Sequence, residues 1–238
     1  KNTICSRQYF MNLTELWSQI EEELSWRHEE LRFLNNQIEI LENENEKKKL
    51  RRAALLMIYA HFEGFTKFAF DLYITAINNE NLECRDVTST ILACSFNDIF
   101  KALKNPESKS RIFRNSLPDD PKLHSFARSV NFLEDLDANL SLKVKIPDNI
   151  VNTESNLKPQ VISKLLFSIG LDHKLFEDKY AAINKLLNMR NKIAHGESRA
   201  GIEENEFNLL YAISLEILIE VKSRIMRCLT NQDYLKTA

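Results

Sequence analysis

Arg190, Asn191 and His195 are the residues of this chain whose types and spacing could do chemistry. Arginine is a permanent cation whose planar fork suits phosphate oxygens. Histidine is the side chain whose ordinary titration lies nearest neutrality, so it can take up and release a proton. Asn191 supplies a polar group between them. Metal-free RNA cleavage needs parts of these kinds. A base takes the proton of the ribose 2′-OH, or an acid protonates the leaving 5′-oxygen. A fixed cation holds the charge that builds on the phosphorus oxygens.

The surrounding pattern says where these groups point. Ile183, Leu186, Leu187, Ile193 and Ala194 form one apolar stripe at three- and four-residue spacing, which predicts a helix from about Lys174 to His195. Arg190 falls on that stripe, where a leucine would be expected. A guanidinium aimed inward keeps its charge and requires acceptors. Beside this stripe runs a second one of Asn184, Asn188, Asn191 and His195. Asparagine is a poor helix former, so three on one face are unusual. Asn191 and His195 are one turn apart and can address one ligand atom. Gly196 is placed to end the helix, leaving His195 beside the partial negative charge of the last carbonyls. An Arg and a His at this spacing are, taken alone, more often structural. The inward Arg, the asparagine face and the following glycine favour a site.

The elements that position these residues are helices. The chain has 238 residues with 44% hydrophobic content, enough for a real core, and its 4 Gly and 5 Pro supply few turns. The expected class is all-α, a helical bundle with a long N-terminal heptad helix or helical hairpin. Leu13, Trp17, Ile20, Leu24, Arg27, Leu31, Leu34, Ile38 and Leu41 alternate spacings of four and three, with only Arg27 polar. This seam suits either a dimeric coiled coil or a hairpin packed on the next helix. Residues 1–49 are read as that amphipathic segment and 50–238 as the bundle, with an irregular insert at about 104–155, the whole forming one integrated domain. The helix from Leu50 to Ile77 is apolar nearly all round, hence central. Glu63 and His61 lie inside it. Glu63 is the candidate anion for Arg190, since a buried charge needs a partner, and His61 is a second supporting residue. Further helices are expected at Thr88–Leu103, Ser125–Leu140 and Glu203–Thr230, with Thr14 as the cap of the first helix and Asp86 or Thr88 as that of the helix from Thr88. Lys143 to Ile146 alternates like a strand, but Pro147 follows at once and no sheet is expected.

A net charge of −2 and a pI near 6.3 give no global nucleic-acid footprint. Contact with RNA would be local, through Lys192 and the loop residues Lys109, Arg111 and Arg114. Cys5, Cys84, Cys94 and Cys228 lack ligand spacing and read as reduced thiols. No Cys/His cluster, H-E-x-x-H or phosphate-cradling glycine loop occurs, so neither metal nor cofactor is expected. His28, His124 and His173 stand in no constellation. No apolar run of the ~18 residues needed to span a bilayer is present, and the expected location is the cytoplasm.

Arg190-Asn191-x-x-x-His195, followed by Gly196-Glu197, resembles the R-N-x-x-x-H signature of the HEPN superfamily (higher eukaryotes and prokaryotes nucleotide-binding). Three other stretches are similar to its bacterial defence and toxin nucleases: Tyr59 to Phe65, Asn152 to Leu157, and the apolar last helix. The resemblance covers roughly Leu50 to Thr230. It implies a helical bundle, a homodimer with the motifs of two protomers facing one another, and a composite cleft that cuts RNA to a 2′,3′-cyclic phosphate and a 5′-hydroxyl. It further implies His195 as general acid/base, Arg190 as phosphate stabiliser and Asn191 as orienting group, with a cognate antitoxin or defence partner restraining the enzyme. The rival reading is a non-catalytic helical module that binds a partner protein or RNA, in which Arg190 is a satisfied structural arginine.

Overall fold

The structure, a computed structural model, describes residues 12–113, 120–154 and 156–236. Among them the fold is all-α, an α-helical bundle with a long N-terminal helix and no β-sheet. Among the described residues the β-bridges are two isolated pairings, Glu83 with Lys143 and Val87 with Leu235.

Helix α1 (Leu13–Ile40) starts at Asn12, whose side chain accepts from the Glu15 N–H at 3.2 Å. The cap is thus Asn12, one turn ahead of Glu15, and not Thr14. The heptad seam, buried at Ile20, Leu24, Arg27, Leu31 and Ile38, packs within the chain against α2 (Glu44–Asn79) and α9 (Glu204–Asn231). Arg27 is tolerated there because it bonds the Glu23 carboxylate and carbonyl and lies across the Trp26 and Phe65 rings. Residues 41–43 form the hairpin turn. The charged run that follows is the first part of α2, capped by Asn43 accepting from Asn45 N–H at 2.9 Å.

Helix α2 is the axis of the bundle, packed by α1, α9 and α8 (Tyr180–Ala194). Buried residues on all its sides, among them Leu55, Phe62, Phe65, Phe70 and Ile77, explain why its sequence lacks a clean polar face. Between Asn79 and α8 lie shorter helices: α3 (Ser89–Ser95), α4 (Asn97–Lys104), α5 (Pro121–Glu134), α6 (Leu136–Leu140) and α7 (Pro159–Ser168). The single helix expected over Thr88–Leu103 is broken at the buried Phe96, and that over Ser125–Leu140 at Asp135. Ser95, at the first break, turns its hydroxyl to the Lys145 N–H at 3.0 Å. Both α5 and α7 open on a proline, whose missing N–H costs nothing in the first turn. No helix of the described residues is long and apolar enough to cross a membrane. Cys84, Cys94 and Cys228 are free and buried, and burial pushes the Cys228 thiol up to about 12.

Candidate nuclease site at the end of helix α8

Ile183, Leu186 and Leu187 anchor α8 in the core. One turn further on, Arg190 is the next residue of the same stripe, and its side chain is 20% exposed. It lies across the ring of Tyr59, with the guanidinium carbon 4.1 Å from the ring centroid. Its Nη2 is 3.7 Å from Glu63 Oε2, and its Nη1 donates to Asn191 Oδ1 at 2.8 Å. Tyr59 and Glu63 are four residues apart, so one face of α2 presents both an aromatic platform and a carboxylate to the guanidinium. Tyr59 is itself fixed. Its hydroxyl accepts from the Leu157 N–H at 2.8 Å, and burial pushes its phenol up from the ordinary value.

Helix α8 ends in a Schellman turn. Gly196, at φ +72°, donates to Ile193 O at 3.1 Å, and Glu197 N–H donates to Lys192 O at 2.8 Å. A residue with a Cβ would be strained at that φ. His195 is the C-cap residue and its side chain is exposed. The loop beyond is tied to the start of α2. Ile202 N–H donates to Lys48 O at 3.1 Å, and Lys48 pairs with Glu203 at 2.6 Å. The buried Arg51 reaches Glu44 at 2.7 Å and Glu204 at 3.3 Å. Gly201 permits this closeness, since a Cβ there would lie 2.4 Å from the Lys48 Cβ. The helix end that carries His195 is therefore held from both sides. Asn184 and Asn188 are exposed and Asn191 half-buried, which leaves the polar stripe of α8 facing solvent.

The family model described as RiboL-PSP-HEPN matches residues 22–227, most of the chain. The chain belongs to this family. No curated protein and no solved structure matches it. The HEPN span begins inside α1 and ends near the end of α9, so it takes in α2, α8 and the Tyr59, Glu63 and Asn191 neighbours of Arg190.

Other residues singled out from sequence are distributed over this HEPN domain. Lys192 is exposed on α8, one residue past Asn191. Lys109 and Arg111 are exposed in the connection after α4, and Arg111 pairs with Asp135 at 2.7 Å. Both line a cavity of about 310 Å³ between α4 and α5, to which α8 contributes no residue. Arg114 lies outside the described residues, as does Cys5. Among the described residues, no group of three or more His, Cys, Asp or Glu side chains is placed to hold a metal ion.

His61 faces away from Arg190. Two residues along a helix turn the side chain by about 200°, so His61 meets α1 while Tyr59 meets α8. It is buried, edge-on to Trp26 at 5.1 Å. Its Nε2 lies 2.7 Å from Glu30 Oε2 without the alignment of a hydrogen bond. Burial lowers its affinity for a proton; the Glu30 carboxylate opposes that shift and Arg27 reinforces it, and the net direction is down. The unfolded chain then binds a proton that the folded chain refuses. Stability is full above the ordinary histidine value and falls as pH drops below about 6.5. Denaturant midpoints should decline on acidification through that window, and by less in His61→Phe, which keeps the aromatic edge on Trp26. Equal declines in the two proteins would remove His61 as the cause.

Proposed function

We propose that this protein is a metal-independent endoribonuclease, the effector of a bacterial defence or toxin–antitoxin system. Arg190, Asn191 and His195 are its working residues. The observation that carries the reading is that one helix end carries both a fixed cation, Arg190, and, five residues on, an exposed imidazole, His195. His195 takes the 2′-OH proton or protonates the 5′-oxygen. The 2′-oxygen attacks phosphorus, the 5′-oxygen leaves, and a 2′,3′-cyclic phosphate and a 5′-hydroxyl result. Arg190 holds the growing negative charge and Asn191 orients the group. A homodimer that brings two α8 ends together lets one imidazole act as base and the partner's as acid. Lys192 and the basic loop residues Lys109, Arg111 and Arg114 contact RNA phosphates, and a cognate partner protein restrains the enzyme. The chain works as one domain, with the N-terminal helix laid over the bundle. The test is end-labelled bulk RNA with EDTA present and analysis of the product ends. Cutting with cyclic-phosphate ends is expected. No cutting of any RNA offered, tRNA and rRNA included, would sink the reading.

One observation favours the rival, a non-catalytic binding module: Arg190 already has Glu63, Asn191 and Tyr59 as neighbours. Glu63→Gln weighs on both. A partly exposed ion pair contributes about 0.2–1 kcal/mol. If Glu63 directs a working Arg190, single-turnover cleavage should fall by up to about fivefold. An unchanged rate together with unchanged stability would show that Glu63 does not direct it.

A further inference from the structure

Residues 146–154 and 156–157 run along α2 as a strap with two anchors. At one end the Asn78 amide holds both backbone groups of Ile146. Its Nδ2 donates to the carbonyl at 3.0 Å and its Oδ1 accepts from the N–H at 2.8 Å. At the other end Leu157 N–H donates to the Tyr59 hydroxyl. Between Tyr59 and Asn78 the axis of α2 rises about 28 Å, and the strap follows it in the opposite direction. Between the anchors lies a groove of about 590 Å³, lined by Lys67, Asp71 and Ile74 of α2 and by Asp148, Val151 and Asn152 of the strap. Tyr59, Glu63, Lys67 and Asp71 recur every four residues. Each step of four carries the side chain about 40° further round the helix, so the groove adjoins the Arg190 platform, with Asp71 about 12 Å along the axis from Glu63 and about 80° round from it.

The lining selects a ligand class. Two carboxylates to one ammonium make a poor seat for a phosphate. Ile74 and Val151, both buried, close the floor of the groove, so its wall against the core is apolar. Asp71 is half-buried, and burial together with the Asp148 charge pushes its carboxyl up, against the pull of Lys67. Such a carboxylate gains from a ligand that brings N–H donors into the groove. Single-stranded RNA is read through the Watson–Crick edges of splayed bases. Among the four bases, guanine presents two adjacent donors, N1–H and N2–H2, beside an acceptor, O6. Lys67 and Asp71, one turn apart, offer the complementary order of donor and acceptor.

We infer that the strap groove binds a guanine base of the RNA strand engaged at Arg190, on a nucleotide next along from the one cut. Asp71 accepts from N1–H and N2–H2, and Lys67 donates to O6. This deepens the reading of the chain as one that acts on RNA.

The probe is a fluorescein-labelled RNA pentamer of adenosines around a single guanosine, compared with the same pentamer carrying inosine, which lacks the N2 amino group. Binding is measured by anisotropy with His195→Ala protein in EDTA. A hydrogen bond to a charged group should make the inosine RNA bind about tenfold more weakly. Asp71→Asn should bind both RNAs alike. Equal affinities without the Asp71 change overturn the inference, as does discrimination that survives Asp71→Asn or appears only with added Mg²⁺. Failure to bind either RNA overturns it too. Cleavage by the unaltered protein is scored separately. Cutting without guanosine discrimination sinks the groove and spares the nuclease, and discrimination without cutting does the reverse.

Discussion

Alanine in place of His195 is expected to slow RNA cleavage by about 10²–10⁴-fold, the usual contribution of a positioned acid or base. The unfolding midpoint should stay close to that of the parent. The two halves of this expectation have different origins. The imidazole is exposed at the C-cap and, among the described residues, makes no ion pair and no ring contact. What position 195 gives the fold is its backbone N–H, which donates to Asn191 O at 2.9 Å, and alanine keeps it. Exposed substitutions of this sort usually change stability by no more than about 0.5 kcal/mol. Single-turnover cleavage and thermal melts on the same preparation check both. A variant that melts like the parent and cuts at the parental rate would take His195 out of the chemistry. It would leave Arg190 as a structural residue of a binding module.

The divide between what sequence shows and what it hides runs along chain separation. Helices α2 and α9 are read from their own periodicity, because burial leaves its mark at three- and four-residue spacing. The α8 site is read the same way: an arginine on an apolar stripe, a polar stripe beside it, and a glycine at the end. Breaks are harder. No proline or glycine stands at Phe96 or Asp135, and the partners met at each break are distant in sequence, Lys145 for Ser95 and Arg111 for Asp135. The α1 seam is equally good for a partner copy or for the same chain, and only the packing on α2 and α9 decides. Tyr59 was hidden in plain view. A buried aromatic on a central helix reads as core, and it is core on one side while its face carries the guanidinium. The available signal was its spacing, one turn ahead of Glu63. His61 shows the complementary lesson, since two residues of offset send a side chain to another helix. Nothing local announces the strap, whose clamp joins Asn78 to Ile146 across 68 positions.

Arg190→Lys separates a charge from a shaped cation. Lysine keeps the positive charge and a long stem, so an argument from charge alone expects nearly full activity. The geometry expects a loss of about 10²-fold or more, the order seen when one fixed donor to a developing oxyanion is removed. The guanidinium carbon lies over the Tyr59 ring, and its two terminal nitrogens reach two different partners, Asn191 at 2.8 Å and Glu63 at 3.7 Å. An ammonium is a compact point charge with no plane to stack and no fork to span both. It is drawn to Glu63 and leaves Asn191 without its donor, so the asparagine loses its orientation along with the cation. Tyr59→Leu reaches the same end from the other side. It deletes the platform and also the acceptor of the Leu157 N–H, so it should cost stability as well as rate. Because the two substitutions damage one arrangement, their effects on rate should not add. The double variant should be barely worse than Arg190→Lys alone, and single-turnover rates of the four proteins close that cycle. Strict additivity would mean that Tyr59 and Arg190 act independently. Full activity in Arg190→Lys would mean that the stacked, forked geometry at the end of α8 serves the fold and not the reaction.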